Sequence, residues 1–307
     1  MKVAIIDLGT NTFNLLIAEI KAPGNYTLLH QGKIGVKLGK GGINTKHITP
    51  EAFERGIKAI DTHLQTIHAF QADRIKATAT SGIRSTNNGL TFIDTLRQRF
   101  HLDVEIIDGD REAALIFEGV NQVFPFHEKT SLILDIGGGS NEFILANQAG
   151  ILWKKSYDLG MARLLDRFNP SDPINQEELA AIYAFLKQEL ADLSPIMEKY
   201  NPQELIGSSG TFDTFRSLWE AAHPPEEQNQ HTPLFQFPEE AFASLYQRLI
   251  TSTLQQRLEM KGMEAIRVEM IVLAAIFVKF TMDEYGLTRL YQSNYAIKEG
   301  VLKSLAQ

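Results

Sequence analysis

Apolar and polar positions along the first part of the chain follow strand and helix periods in turn. Residues 2–7, 13–20 and 26–38 are rich in strand-forming residues, so we predict three strands there. Thr49-Pro50 then begins a helix, because proline is favoured at a first helical position. Its buried stripe repeats at helical spacing: Phe53, Ile57, Ile60, Leu64 and Ile67. The pattern further predicts strands at 75–80 and 104–107 and helices at 88–100 and 110–123.

A similar order of elements returns after the Pro125-Phe126-His127 stretch, which marks a domain boundary. We predict strands at 131–135, 142–146, 150–157 and 289–291, with helices at 176–199, 211–218, 266–285 and 296–305. The polar stretch 224–238 contains several prolines and is predicted to be a surface loop. Since the repeated unit is a whole domain that occurs twice, the pattern predicts an α/β protein with domains 1–124 and 125–307. The last helix, about 296–307, could pack back on the first domain.

Composition narrows the class of protein. A length of 307 residues with 44% hydrophobic content is enough for two cored domains. The chain has no cysteine, which leaves carboxylates and backbone groups as the candidate chemistry and points to an oxygen-bound metal. A net charge of −7 argues against a nucleic-acid partner. With no signal-peptide pattern and no apolar run of about 20 residues, we expect a cytoplasmic protein with no membrane partner.

Charge is unevenly distributed near the N-terminus. From Lys21 through Pro50 there is no Asp or Glu, and five lysines fall in that stretch: Lys21, Lys33, Lys37, Lys40 and Lys46. One interpretation is a solvated, lysine-rich hairpin. The other is a positive collar that attracts a polyanion. The spacing of these lysines fits both.

Three glycine-rich turns, at 7–12, 135–140 and 207–211, each follow an apolar strand. Glycine allows a tight turn whose backbone N–H groups can approach an anion, so we predict a phosphate held from several sides. The predicted phosphate-binding residues are Gly9, Thr10, Asn11, Gly138, Gly139, Ser140, Gly210 and Thr211.

Three carboxylates lie at or just after these turns and could hold Mg²⁺ directly or through its waters: Asp7, Asp135 and Glu142. Asp135 could instead, or in addition, hydrogen-bond its own turn. Glu142 could instead be an exposed strand residue.

Five segments together resemble the exopolyphosphatase and guanosine pentaphosphate phosphohydrolase family of the actin-like ATPase superfamily. They are Asp-Leu-Gly-Thr-Asn-Thr-Phe at 7–13, Ala-Thr-Ser-Gly-Ile-Arg at 79–84, Glu-Ala-Ala-Leu-Ile-Phe-Glu-Gly-Val at 112–120, Asp-Ile-Gly-Gly-Gly-Ser-Asn-Glu at 135–142 and Gly-Ser-Ser-Gly-Thr at 207–211. The resemblance covers the whole chain. It implies two actin-like (ribonuclease H-like) domains with the active site in the cleft between them, and a homodimer.

The resemblance also implies catalytic roles. Glu112 matches the family's catalytic glutamate and is the expected general base, although an acid there could simply cap the helix near Asp110. Arg84 matches an arginine that binds phosphoryl oxygens, although a lone arginine is by default a surface residue. Arg163, Arg267 and Lys298 are weaker phosphate candidates, and for Arg267 a surface ion pair fits as well. Ser81 and Ser209 lack the context of a serine nucleophile.

The expected reaction is Mg²⁺-assisted release of terminal phosphate from polyphosphate. Hydrolysis of guanosine pentaphosphate is the alternative, and an actin-like nucleotide-binding scaffold or a kinase are alternatives of other classes. Two departures from the family pattern leave the substrate preference open: Arg111 replaces an acid, and Ala114 replaces an arginine that Arg111 could compensate. Two domains without further helical domains favour a shorter substrate, or one bound across a dimer.

Overall fold

Two β-sheets form the framework of the computed structural model, which describes residues 1–223 and 232–307. The first sheet has the order β3-β2-β1-β4-β5 and the second the order β10-β11-β9-β6-β7-β8. The strands are β1 (Lys2–Leu8), β2 (Thr12–Ala22), β3 (Asn25–Gly35), β4 (Arg74–Ala79), β5 (Val104–Ile106), β6 (Ser131–Ile136), β7 (Asn141–Asn147), β8 (Gly150–Tyr157), β9 (Glu204–Ser208), β10 (Leu234–Gln236) and β11 (Arg289–Ser293).

Helices cover both sheets. In the first half they are α1 (Pro50–Ala69), α2 (Ser81–Arg84), α3 (Gly89–Phe100) and α4 (Gly109–Val120). In the second half they are α5 (Met161–Phe168), α6 (Gln176–Glu189), α7 (Ser194–Tyr200), α8 (Gly210–Ala222), α9 (Ala241–Ile250), α10 (Leu254–Glu259), α11 (Ile271–Glu284) and α12 (Ile297–Leu305). The similarity of the two halves that the sequence predicted is therefore visible in the order of their elements.

The two sheets repeat one topology. β1 pairs antiparallel with β2 and parallel with β4, and β6 pairs antiparallel with β7 and parallel with β9. The first two glycine turns consequently occupy equivalent places, between β1 and β2 and between β6 and β7. The third turn, between β9 and α8, has its counterpart at Thr80-Ser81-Gly82, between β4 and α2.

Each sheet has its own hydrophobic core, and a third core joins the two sheets. Ala4 and Ile6 of β1 pack in the first core, whereas Val3 and Ile5 on the opposite face pack in the third. Ile133 of β6 contributes to the same third core, together with α4 and α12. Because both faces of these central strands are buried, their sequences are nearly continuous apolar runs.

Local signals explain several boundaries. Thr49 caps α1 by accepting a hydrogen bond from the Ala52 N–H (3.3 Å), with Pro50 in the first turn, as the sequence predicted. At the other end of the chain, α12 packs against α4 and against β1. The domain boundary between residues 124 and 125 stays a prediction.

Other predicted boundaries were wrong. The strand predicted to reach residue 38 ends at Gly35, because the chain then turns to bind the first glycine turn. The helix predicted at 266–285 begins only at Ile271, since 264–270 forms turns against the first half of the chain. Helices α2 and α5 were not predicted. Strand β10 lies within the predicted loop 224–238, of which 224–231 is outside the described residues. No described helix combines the length and apolar character needed to cross a bilayer.

Candidate active site

A cavity of about 390 Å³ lies between the two sheets, at the carboxyl ends of β1, β6 and β9. The carboxyl ends of strands are the usual binding edge of α/β sheets. Its lining includes residues of all three glycine turns, although not the predicted phosphate ligand Thr211, and the acidic residues Asp7, Glu112, Asp135 and Asp213. The structure therefore brings together residues from both ends of the chain, from Asp7 to Lys298.

In the first turn, neighbouring backbone groups hold the carbonyls. The Leu38 N–H donates to Thr10 O (2.7 Å) and the Val36 N–H to Asn11 O (2.9 Å). Since the N–H and C=O of a trans peptide point in opposite directions, the Asn11 N–H points away from Leu38. Gly9 was predicted to offer its N–H to phosphate, but that group donates to Thr12 O (3.1 Å) within the turn. Gly9 therefore shapes the turn.

In the second turn, the first residues of α5 hold the carbonyls. Three hydrogen bonds do this: Met161 N–H to Gly137 O (2.9 Å), Ala162 N–H to Gly138 O (2.8 Å) and Arg163 Nε to Gly139 O (2.7 Å). The N–H groups on the opposite side of these peptides belong to Gly138, Gly139 and Ser140. Within the described residues no acceptor binds these three N–H groups, so they are available to an anion at the cavity wall.

The two turns face each other at close range. A side-chain carbon added at Gly139 would lie 2.7 Å from both Thr10 Oγ1 and Ser81 Oγ, so only glycine fits there. Ser81, which sequence reasoning had set aside, lines the cavity, and its hydroxyl has no partner among the described residues. The signal that could have identified it is its position in Thr80-Ser81-Gly82, the counterpart of the third turn.

Two cations come from segments outside the third turn, Arg267 from the 264–270 turns and Lys298 from the first turn of α12. A carbon added at Gly210 would lie 2.0 Å from Arg267 Nη2, so this glycine makes room for the guanidinium, whose Nη1 donates to Thr211 Oγ1 (3.4 Å). Burial lowers the pKa of Arg267, while the charges of Glu264, Asp213 and Asp135 act in the opposite direction. Burial also disfavours the charged form of Lys298, but Glu299 and Asp7 outweigh it and raise the pKa of Lys298. Both cations line the cavity.

Glu112 points into the cavity from the first turn of α4. Asp108 caps that helix, accepting from the Arg111 N–H (2.7 Å), so the interpretation of Glu112 as the cap is wrong. Arg84 Nη1 donates to Glu112 Oε2 (2.9 Å) and to Ile107 O (2.7 Å). Burial, and next the charge of Glu142, raise the pKa of Glu112 well above its usual range, while Arg84 opposes the shift.

Glu142 lies behind the second turn and does not line the cavity. Its side chain is fully buried, so the alternative of an exposed strand residue is wrong. The Ser140 and Ser156 hydroxyls both donate to Glu142 Oε1 (2.7 Å each). Burial and the charge of Asp135 raise the pKa of Glu142 to about 7, against the effect of those hydroxyls.

Asp7 and Asp135 end the two central strands. Burial raises the pKa of both, for Asp135 to about 6. Asn14 Nδ2 donates to Asp7 Oδ2 (2.9 Å), while Asp7 Oδ1 is buried without a hydrogen-bond partner in the described part of the chain. An unpaired carboxylate oxygen of this kind suits a cation or its bound water.

The predicted magnesium ligands do not form a complete cluster. In residues 1–223 and 232–307, no three His, Cys, Asp or Glu side chains converge closely enough to hold a metal ion. Asp7 and Asp135 face the cavity and Glu142 does not. Of the predicted ligands, Asp7 and Asp135 are therefore the two placed to contact a hydrated Mg²⁺ ion, which is usually held by one or two carboxylates, and the metal itself stays a prediction.

The basic residues singled out in the sequence divide into two groups. Arg267 and Lys298 line the cavity, whereas Arg111 is exposed at the start of α4 and is not in the lining. Arg84 is not in the lining either, and its Nη1 is used by the bonds described above, so its expected contact with phosphoryl oxygens stays a prediction. Arg163 donates to protein oxygens only.

The lysine-rich segment contributes one of its five lysines to the cavity lining. Lys33 lines the cavity and pairs with Glu264, and Lys37 pairs with Glu269. Both ion pairs join the first half of the chain to the 264–270 turns.

Fold and cavity together define a two-domain α/β protein whose interdomain cleft is lined by glycine turns, carboxyl groups and basic side chains. Residues 16–307 match the Ppx/GppA phosphatase family, so the chain belongs to that family. A crystal structure of an exopolyphosphatase from Cytophaga hutchinsonii is 35% identical, with a TM-score of 0.94 over 100% of this chain and 98% of that one. The Aquifex aeolicus Ppx/GppA enzyme shares the fold, at a TM-score of 0.78 and 24% identity over 99% of both chains.

Curated relatives of similar length also match. Exopolyphosphatase 2 of Mycobacterium tuberculosis is 28% identical over 99% of this chain and 98% of its own. A putative exopolyphosphatase of Haemophilus influenzae is 26% identical over 99% of this chain and 91% of its own. These matches confirm the resemblance noted in the sequence and the fold of two actin-like domains, and they support a phosphate-releasing hydrolase.

Proposed function

We propose that the protein is an exopolyphosphatase, which removes orthophosphate from the end of inorganic polyphosphate. One observation carries the proposal: the cavity places two facing glycine turns, with available N–H groups, beside the buried carboxyl group of Glu112. The N–H groups suit the charge on phosphoryl oxygens, and the carboxylate suits a proton transfer. The exopolyphosphatases among the similar proteins support the same reaction.

The catalytic step in this proposal is attack of water on the terminal phosphorus. Glu112 accepts the proton of that water, and its raised pKa makes its carboxylate a stronger base than an exposed glutamate. Arg84 fixes one oxygen of Glu112 through Nη1. N–H groups of Asn11 and of 138–140 stabilise the charge on the phosphoryl oxygens, and the leaving chain extends toward Arg267 and Lys298.

A Mg²⁺ ion held through Asp7 and Asp135 would neutralise part of the phosphate charge when it is bound. Without the metal ion, the negative charges of these two carboxylates would repel an anionic substrate. The same charges require the nearby cations, Lys298 above all, to balance them. The metal dependence of the reaction is therefore part of the proposal.

The character of the cavity wall favours polyphosphate over guanosine pentaphosphate. None of the described residues that line the cavity is aromatic, so a guanine base would find no ring to stack on. The wall instead offers backbone N–H groups, Lys33, Arg267 and Lys298, all of which suit repeated phosphate groups. Guanosine pentaphosphate hydrolysis remains the second candidate, since its reaction centre is the same.

The test measures phosphate release with Mg²⁺ from polyphosphates of defined length, guanosine pentaphosphate and ATP in parallel. We expect polyphosphate to be preferred and Glu112→Gln to lower kcat by about 10²- to 10⁴-fold. Glu118→Gln is the matched control on α4, because Glu118 lies farther along the helix and pairs with Lys303. Preference for the guanosine compound would support the second candidate. A reaction that requires an acceptor hydroxyl would indicate a kinase. Absence of phosphate release from every substrate would indicate a nucleotide-binding scaffold.

A further inference from the structure

We propose that Arg163 is a positioning residue that aims the N–H of Ser140 at the substrate and ties the second glycine turn to the first domain. The role rests on the proposed function, because it concerns the same cavity. Arg163 lies in the first turn of α5, a helix that the sequence did not predict. It is largely buried, with 12% of its side chain exposed.

The first part of the role is local. Arg163 Nε donates to Gly139 O at 2.7 Å. Gly139 O and the Ser140 N–H belong to one planar trans peptide and point in opposite directions. By holding the carbonyl on the α5 side, the guanidinium holds the N–H on the cavity side. The preceding two peptides are held by backbone N–H groups of Met161 and Ala162, so this is the one peptide of the three whose orientation depends on a side chain.

The second part of the role crosses between the domains. Arg163 Nη2 donates to Ser85 Oγ (2.8 Å), and Nη1 to Ile43 O (3.4 Å). In return, Asn44 Nδ2 donates to the Arg163 carbonyl (3.2 Å). Ser85 directly follows α2, which also carries Ser81 and Arg84. The guanidinium therefore joins the second turn to the segment of the first domain that holds Glu112 through Arg84.

The geometry explains why an arginine is present. Its planar guanidinium presents N–H donors in fixed directions, and here they reach three separate hydrogen-bond acceptors, while Nη2 also lies 3.5 Å from Oδ1 of the exposed Asp158. A lysine could place one ammonium group near one or two of these oxygens but could not keep all three contacts in one plane. Because these donors are engaged by protein oxygens, Arg163 acts through the turn and does not bind phosphate itself.

Kinetics with matched variants test the positioning role. We expect Arg163→Ala to lower kcat on polyphosphate by about 10- to 100-fold, since small displacements of a group that stabilises a transition state have effects of this size. KM should change far less, because the other turns and the cations still bind the chain. Arg163→Lys should be intermediate, and methylguanidinium should partly restore the alanine variant. Arg167→Ala is the control, since Arg167 is exposed one turn later on α5 and stacks on Phe185.

A distance measurement tests the link between the domains without relying on activity. The chain has no cysteine, so Lys58→Cys and Gln188→Cys, both at exposed helical positions, allow spin labels on α1 and α6. We expect a narrow distance distribution with Arg163 and a broader one with Arg163→Ala or Arg163→Lys, in the presence of polyphosphate. Should the unsubstituted enzyme release no phosphate from any substrate, the proposed function fails and this measurement alone decides the role.

Three results would overturn the proposal. The first is an Arg163→Ala enzyme with the kcat of the unsubstituted protein. The second is a distance distribution that both substitutions leave unchanged. The third combines two observations. Arg163→Ala loses kcat only to the extent that it loses the near-ultraviolet circular dichroism spectrum of the folded protein, and a folded Arg163→Lys keeps the full kcat.

Discussion

Substitution of Asp135 tests whether a buried carboxylate in the cavity lowers the free energy of unfolding. Its side chain is 8% exposed, and burial raises its pKa from 3.8 to about 6. A shift of this size corresponds to about 3 kcal/mol, at 1.36 kcal/mol per pKa unit. Replacement by the near-isosteric asparagine removes the buried charge. We therefore expect Asp135→Asn, without metal, to be more stable than the unsubstituted protein by up to about 3 kcal/mol at pH 8.

The sign follows from proton binding. The folded protein keeps the Asp135 proton up to about pH 6, whereas the unfolded chain loses it near pH 4. Between these values unfolding releases a proton, so stability decreases as pH rises through that window and then levels off. The advantage of Asp135→Asn should accordingly be about 1 kcal/mol at pH 4.5, grow up to about pH 6.5, and stay constant above.

Urea unfolding in the presence of a chelator, at pH values from 4.5 to 8, measures this difference. Asp166→Asn on α5 is the control, because Asp166 is exposed. An advantage for Asp135→Asn that does not vary with pH, or a loss of stability at pH 8, would refute the reasoning. The same variant should bind Mg²⁺ more weakly, which would show that the carboxylate is kept for function at a cost in stability.

Three further expectations follow from the structure, and a fourth, the homodimer, follows from the resemblance to the family. Arg84→Ala should move the acid limb of the kcat profile to higher pH, because Arg84 lowers the pKa of Glu112; an unmoved limb would contradict this. Asp7→Asn should raise the Mg²⁺ concentration needed for half-maximal activity, and an unchanged titration would exclude Asp7 as a ligand. Thr49→Ala should destabilise the protein by about 1 kcal/mol in urea unfolding, through loss of the α1 cap. Sedimentation of a dilute sample should show the homodimer; a monomer would refute it.

The sequence by itself determined the local secondary structure of this protein, namely its strands, turns and helix caps. Apolar strands that end in Asp7 and Asp135, followed by glycines, could be recognised because strand period, chain reversal and backbone exposure are short-range properties. The cap at Thr49 is equally local. The repeat of this pattern in the two halves was sufficient to predict two related α/β domains, which the paired sheet topologies show.

Tertiary structure alone decided what surrounds each side chain. Glu142 could be an exposed or a buried strand residue by its sequence, and only the packing of β7 beneath the second turn buries it. Arg163 and Ser85 are 78 positions apart, so no local pattern relates them. The same holds for the raised pKa of Glu112, which depends on burial and on a carboxylate from the other domain. Burial and charge at a site come from contacts between distant segments, and these exist only once both sheets have folded and met.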